Sequence, residues 1–542
     1  MEDHPEESFL VKIFQRLRIY KLAPPKERYG FERKTGEADE EEATQCFLNH
    51  EKVATVVSTI GDKSSCQVCH EISIPTEALK ALPKKGIMAG EMFRQLLIGV
   101  VCNLLVIDSG LQEGWSTPTI PKFTSNEDPL RVNADEIAWV VNLLYVGVGL
   151  GSTVPFFLMD RIGRKRTLLL AAIPKIISWI LIGMASTRTT IFCGRILAGV
   201  GCGITYAVMP MYLGEISSKR TRGPLGTMMA VLLNVGMLLI YSIGLWISRF
   251  TMAMLAVCVP IIFVATFIWL PESSVFLTRK NRLSSAEKTL RWALAKENVE
   301  EELEEIKRIV ATEESSRKFT FLEIVKEIYT KRENRRAFGI AWLLLSALTL
   351  CGAAPILAYQ SEVFERANFH VSTNLIIIVT GCTIVIAGSL CVLLVRLTGK
   401  RPLLLISTPV CFFSLATLAV FFTLLSAGYD VSSIKWVPSV FIVTFVLGYG
   451  LALNPIPLSY VGEIFSFEMK PVAAIFSSLY YAVTTTTLVK FFQVTQDLYG
   501  THVPLWSFTV IIMIIWVLIY FFVPETEGKT LEEIQLDLKN KE

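Results

Sequence analysis

The chain has 542 residues, of which 52% are hydrophobic and 19% charged, and its formal net charge is +3. Soluble chains are about a quarter charged, so this composition excludes an ordinary water-soluble globule. The small net charge gives no ground for a nucleic-acid partner. What remains is a polytopic membrane protein.

Residues 1–92 hold no apolar stretch of useful length and carry scattered charge. They do not read as a secretory signal but as a cytosolic N-terminal tail, largely disordered. Cys46, His50, Cys66 and Cys69 lie in it. They are the right ligand types for a tetrahedral zinc site, yet the gap between the two pairs is unusual. Free reduced thiols are the preferred reading, so no metal is expected. Cys66-Gln-Val-Cys-His70 matches the haem-attachment pattern in a compartment where that chemistry does not occur, and no cofactor is implied.

A helix needs about 20 apolar residues to cross a bilayer. About twelve such spans follow, near 93–115, 136–158, 167–186, 189–213, 224–245, 250–270, 337–364, 373–396, 402–425, 437–462, 472–493 and 503–523. The expected fold is an all-α membrane protein with a six-helix bundle at 93–270 and another at 337–523. Residues 271–336 between them are highly charged, with Leu and Ile at helical spacing, which predicts short amphipathic helices. A polar tail, 524–542, includes one more short helix at 530–538. Lys and Arg cluster at 161–166, 219–222, 279–283, 331–336 and 396–401, whereas 117–135 and 426–436 are poor in them. Positive charge marks the cytoplasmic side, so both termini and the central linker are expected in the cytosol, with the chain a multi-pass protein of the cell membrane.

Charged signatures recur in the same order. The first half has Asp160-Arg-Ile-Gly-Arg-Lys-Arg166, Gly214-Glu-Ile-Ser217 and Pro271-Glu-Ser273; the second has Gly399-Lys-Arg401, Gly462-Glu-Ile464 and Pro524-Glu-Thr526. Gly163 to Gly399, Glu215 to Glu463 and Glu272 to Glu525 are spacings of 236, 248 and 253 residues. One membrane-embedded unit is used twice, the architecture of secondary transporters. Two prolines inside one span, Pro455 and Pro457, remove backbone donors and crowd the preceding turn. They predict a broken helix, tolerated at membrane depth where it lines a cavity.

These motifs, with Arg195, Pro210-Met-Tyr-Leu-Gly-Glu215, Arg222-Gly-Pro-Leu-Gly-Thr227, Trp115-Ser-Thr-Pro118 and Asn234-Val-Gly236, resemble the sugar-transporter family of the major facilitator superfamily, in its insect facilitative trehalose/glucose branch. The resemblance covers roughly 93–535 and implies two pseudo-symmetric six-helix bundles that rock about a central solute site. Asp160, Arg161, Arg164, Arg195, Glu215, Arg222, Glu463 and Lys470 are then the expected gate at the cytosolic mouth, pairing across halves and across helix ends. Positive topology alone accounts for the basic residues but not for Glu215 and Glu463 at matched positions. No acid precedes Gly399, and Lys470 stands where the family has Arg, so the latch is expected to be held mainly by the N-terminal half.

The site departs further from the pattern. Where the resemblance implies Gln in the fifth span, Gln-Gln and Asn in the seventh and Trp in the tenth, this chain has Ala230, Leu348-Thr349, Ala354 and Leu458. Each lost hydrogen bond is worth roughly 0.5–1.5 kcal/mol, so other polar groups must substitute or the solute is not a hexose. Asn234, Thr349, Tyr359, Asn454 and Tyr481 are the chosen pocket residues. Asp108 and Glu113 in the first span, Lys175 in the third and Lys490 in the eleventh are costly in lipid and usually functional. Asp108 or Glu113 is a candidate proton carrier, although Glu113 is expected at the extracellular mouth; Lys175 is expected to meet a first-span acid or an anionic solute. No catalytic constellation is present, so an enzyme is not expected. The expected activity is movement of a small polar solute, a sugar or polyol, by alternating access. The alternative is a membrane sensor or scaffold without transport. The partners are the solute and the lipid bilayer, and the oligomeric state is left open.

Overall fold

The computed structural model describes residues 85–125, 128–218, 221–315, 330–366, 372–465, 469–529 and 531–540. Cys46, His50, Cys66 and Cys69 lie outside them. Residues 84–542 form one compact unit, and its described residues are helical almost throughout. In the N-terminal half, the first span runs over Lys85–Gly114 and continues through Ser116–Thr124. The second to fifth are Ala134–Ile162, Arg164–Met184, Arg188–Ile216 and Arg222–Gly244. The sixth is Arg249–Ala256 followed by Cys258–Phe267. Linker helices Ser274–Arg279, Leu283–Leu294 and Glu300–Ser315 follow.

In the C-terminal half, the seventh span is Arg332–Leu350, Ala353–Ala358 and Gln360–Arg366. The eighth and ninth are Thr373–Thr398 and Lys400–Ser426. The tenth is Val437–Gly448, a π turn at Tyr449–Leu453 and Pro455–Ile464. The eleventh and twelfth are Lys470–Tyr499 and His502–Phe522, and a tail helix covers Leu531–Asn540.

Ten of these spans are long and apolar enough to cross a membrane, and Met228–Gly244 adds a shorter apolar stretch. The eleventh helix has 30 residues, but its run of Tyr480, Tyr481 and Thr484 to Thr487 makes it more polar than the others. The first span is longer at both ends than expected. Ser116-Thr-Pro-Thr119 looks like a loop by composition; the Thr119 hydroxyl instead donates to the Trp115 carbonyl (2.8 Å), which satisfies the side chain on the helix itself. Glu113 therefore lies well inside the span, not at its mouth.

Packing within the first half needs glycine. A Cβ on Gly199 would stand 2.0 Å from the Leu144 carbonyl oxygen, and one on Gly151 2.2 Å from that of Val200. The second and fourth spans thus meet backbone to backbone, as small residues permit. The halves touch along two seams, the second span with the eleventh and the fifth with the eighth. The linker fastens to the first span, where Arg94 and Gln95 donate to the carbonyls of Trp292 (2.6 Å) and Ala293 (2.9 Å). The start of the first span, the linker and the tail helix, which accepts from Arg336 at the Leu538 carbonyl (2.9 Å), mark one face, called here the terminal face; the other is the distal face.

Two buried cations near the distal face serve helix ends. Arg249 pairs with Asp128 (2.7 Å) and donates to the Ala185 carbonyl (2.9 Å), while Lys122 donates to the Gly244 carbonyl (2.6 Å). They satisfy carbonyls that the third and fifth helices leave without partners at their C-termini.

Candidate functional site: a polar chamber between the halves and its two latches

At the terminal face the same cluster is built twice. In the first half Arg164 lies 3.0 Å from Glu215, and the Ser273 hydroxyl donates to the same carboxylate. Tyr212 donates to the Pro271 carbonyl (2.7 Å), and Glu272 accepts from the Lys165 backbone N–H (3.0 Å). In the second half Lys400 pairs with Glu463, which also accepts from Thr526 (2.9 Å). Tyr460 donates to the Pro524 carbonyl (2.7 Å), and Glu525 accepts from the backbone N–H groups of Lys400 (3.1 Å) and Arg401 (2.9 Å). Gly163 and Gly399 turn the chain at φ 94° and 88°, and a Cβ on either would strike the Glu272 or Glu525 carboxylate. Only glycine fits both the left-handed backbone and the close carboxylate.

This duplication corrects the expectation of a weakened second latch. The cation that replaces Arg164 is Lys400, and Glu527, 3.6 Å from it, adds an acid. All of these pairs join elements of one half. Asp160 meets Arg279 (3.0 Å) and, more distantly, Arg164 (3.9 Å), while Arg161 is exposed. Arg222 and Lys470 begin the fifth and eleventh spans. Arg195 does not belong with the latch. It is fully buried nearer the distal face, donating to the carbonyls of Gln112 (2.8 Å) and Val140 (2.9 Å) and to Ser116 (3.2 Å), with its guanidinium over the Trp115 ring (5.1 Å). An always-charged fork with five donors here ties the first, second and fourth spans together. Its place in the sequence, seven residues into a helix that starts at the distal face, carried that information.

Among the described residues, the contacts between the halves named here lie at the distal face and at mid-depth. Near the distal face, Lys490 meets Asp135 (2.8 Å), Thr117 donates to the Leu357 carbonyl (2.8 Å) and Ser361 to the Thr117 carbonyl (3.2 Å). The Lys490–Asp135 pair was invisible in the sequence, since the partners stand 355 residues apart. At mid-depth Asn454 donates to Asn234 (3.4 Å), Asn234 donates to the Ile384 carbonyl (3.4 Å), and Tyr145 meets Tyr481 edge to face with centroids 6.1 Å apart.

The tenth span opens where its prolines stand. The Asn454 N–H reaches back five residues to the Tyr449 carbonyl (2.9 Å), a π turn of the kind that marks functional sites. Pro455 and Pro457 cannot donate to Leu451 and Leu453, so the regular ladder cannot pass through. The result turns Tyr449 toward the chamber. Glu113, Tyr206, Tyr449, Asn454 and Tyr481 are each partly accessible. For Glu113 and the three tyrosines that accessibility coexists with enclosure deep in protein, so they face an internal space. Tyr206 donates to Glu113 (2.7 Å).

Two chosen pocket residues fall elsewhere. Thr349 is buried with its hydroxyl spent on the Leu345 carbonyl of its own helix (2.9 Å), the common fate of an intrahelical threonine. Tyr359 is buried toward the distal face, stacked on Phe492 at 5.7 Å. Asp108 is also withdrawn from the chamber. It is wholly buried against Lys175 (3.2 Å) and accepts from the Trp179 indole (2.7 Å), while Lys175 also donates to Ser109 (2.6 Å) and the Leu105 carbonyl (2.9 Å). Glu113 is the one of the two first-span acids that faces the chamber. Tyr206 and Tyr449 were missed by the sequence reading; the proline pair just after Tyr449 was the available signal. Among the described residues no cluster able to hold a metal occurs.

A duplicated, multi-spanning bundle with twin latches and a shared internal chamber agrees with comparison to known proteins. Residues 102–538 match the family model described as sugar (and other) transporter. The chain belongs to this family. The facilitated trehalose transporter Tret1 of Bombyx mori is 30% identical over 448 residues, covering 82% of this chain and 87% of the relative. The facilitated trehalose transporter Tret1-2 homolog of Drosophila simulans is 29% identical over 463 residues, 85% and 94% of the two chains. Among solved structures, the proton:xylose symporter XylE, of the major facilitator superfamily, matches with TM-score 0.65 at 18% identity, covering 81% of this chain and 99% of that one. The inward open conformation of XylE from E. coli matches with TM-score 0.66. These establish the major facilitator fold, and this family member is a multi-pass membrane transporter rather than an enzyme.

Proposed function

We propose that this transporter moves a sugar, of the trehalose or hexose kind, across the cell membrane by alternating access, with both termini in the cytosol. The supporting observation is the chamber at mid-depth, where accessible polar groups from both halves converge: Glu113 and Tyr206 from one, Tyr449, Asn454 and Tyr481 from the other. The relatives named for facilitated trehalose transport agree with the solute class. The fastened distal face supplies one closed state, and the π turn beside Pro455 and Pro457 supplies a helix already unlatched from its regular bonding. Asn454 and Tyr481 are the proposed solute contacts, with Asn234 buried behind Asn454 and bonded to it, and Glu113 the group through which a proton would be coupled.

Radiolabelled uptake by proteoliposomes tests this. Saturable entry of trehalose or glucose is expected, with Asn454→Ala and Tyr481→Ala each lowering it about tenfold, the value of one or two lost hydrogen bonds. Absence of flux for every sugar would overturn the reading. An imposed pH gradient that leaves flux unchanged would remove the proton.

A further inference from the structure

The chamber wall carries a carboxylate to which the sugar reading assigns only a proton. Four ionisable groups of the first half cluster at its depth. Asp108 and Lys175 neutralise each other with no exposure to the chamber. Arg195, also fully buried, spends its donors on Gln112, Val140 and Ser116 and its face on Trp115. Glu113 differs from these three. It faces the internal space, its carboxylate accepts a single hydrogen bond, from Tyr206 at 2.7 Å, and among the described residues no cation lies within ion-pair distance of it.

Tyr206, Tyr449 and Tyr481 face the same internal space as this carboxylate, and Tyr145 packs edge to face on Tyr481. The three accessible tyrosines come from the fourth, tenth and eleventh spans, so both halves contribute. Sugar hydroxyls can donate to such a carboxylate, but only a cation also neutralises the charge that costs free energy to hold at this depth. An ammonium does both. Its N–H groups can donate to the free carboxylate oxygen in a charge-assisted bond and to phenol oxygens, and aromatic faces attract the cation further.

We propose that the chamber takes a solute bearing a protonated amine, with the ammonium held between Glu113 and the tyrosines. Resting on the transport reading above, this makes the solute an amino sugar. The second half contributes through Tyr449 and Tyr481, so the cation bridges the two halves when bound.

The test compares glucosamine, N-acetylglucosamine and glucose, which share a ring and differ in charge, on the purified full-length protein. Thermal stabilisation and proteoliposome uptake are both read. Glucosamine is expected to be preferred over its N-acetyl form by about tenfold or more, the worth of a charge-assisted hydrogen bond. In Glu113→Gln that preference falls to near unity. Tyr206→Phe keeps the carboxylate and is expected to keep the preference, so a folding failure of the first variant leaves the proposal open to refutation by the second. Equal handling of all three solutes, or a preference that survives Glu113→Gln, overturns the amine proposal. Should glucose enter well without any amine preference, the sugar-transport reading stands and this one falls. If no solute stabilises or enters, both fall. A Glu113→Gln variant that alters only the response to a pH gradient assigns Glu113 to proton coupling and also overturns the proposal.

Discussion

The two halves share their latches but not their interiors. At the terminal face Arg164, Glu215, Ser273 and Tyr212 have counterparts in Lys400, Glu463, Thr526 and Tyr460, bond for bond. Deeper in, the correspondence ends. Asp108, Glu113, Lys175 and Arg195 all belong to the first half. At the spacing that relates Gly163 to Gly399, Lys175 becomes Cys411, a buried thiol whose Sγ faces the Phe445 carbonyl (3.6 Å). Conversely, the larger departures from helix geometry belong to the second half. Gly352 breaks the seventh span at φ 81°, pressed against Phe508, and the tenth has its π turn. Buried, mutually satisfied charges specify one arrangement, whereas broken helices allow more than one. The duplicated unit thus holds buried ion pairs in one half and broken helices in the other, an arrangement suited to a fixed half and a yielding half, with matching fasteners on both.

That contrast is open to attack at several points. The largest effect is expected at Lys175. Lys175→Met strands the Asp108 carboxylate and should cost about 3–5 kcal/mol, whereas Cys411→Ala at the matching place should cost about 1 kcal/mol; thermal unfolding in detergent compares them. Equal losses would show that the interiors are equivalent after all. Next come the latches. Glu215→Gln and Glu463→Gln each weaken a charge-assisted bond worth about 1.5–3 kcal/mol, with the smaller loss for Glu463, which is the more exposed. A much greater loss at either one would mean that the latches are unlike.

Pro457→Ala restores a donor beneath the π turn. It should stabilise the tenth span by about 1 kcal/mol and slow solute exchange, seen as a higher unfolding temperature with lower uptake. Faster uptake would remove the yielding role from this helix. The smallest effect belongs to the distal fastener. Asp135→Asn should leave the fold intact and shift the population toward a distal-open state by less than about fivefold, as for other exposed pairs. Cysteine labelling near Lys490 measures it, and high salt should mimic it.

Much of the fold was readable in the chain because its signals are local. Apolar length marks most spans, glycine spacing marks the close seam of the second and fourth, and the matched acids mark the duplication. The misreadings share one cause. The end of the first span near residue 115, the role of Arg195 and the identity of the second latch cation each depend on what a polar side chain meets. Ser116 and Thr119 look like loop residues until their hydroxyls find partners inside the first span and on Arg195. Thr349 looks like a solute contact until its hydroxyl turns back on its own helix. Lys400 looks like topology until it meets Glu463.

Sequence by itself determined that this protein is a twice-used set of membrane helices with paired acids at matching ends, because hydropathy and repetition are written residue by residue. Tertiary structure alone decided which charges cancel. Lys175 with Asp108 and Lys490 with Asp135 join partners 67 and 355 residues apart in the chain. Only packing could show that Glu113 keeps a free oxygen facing the chamber, since a charge in lipid is defined by its neighbours and those neighbours arrive from other helices.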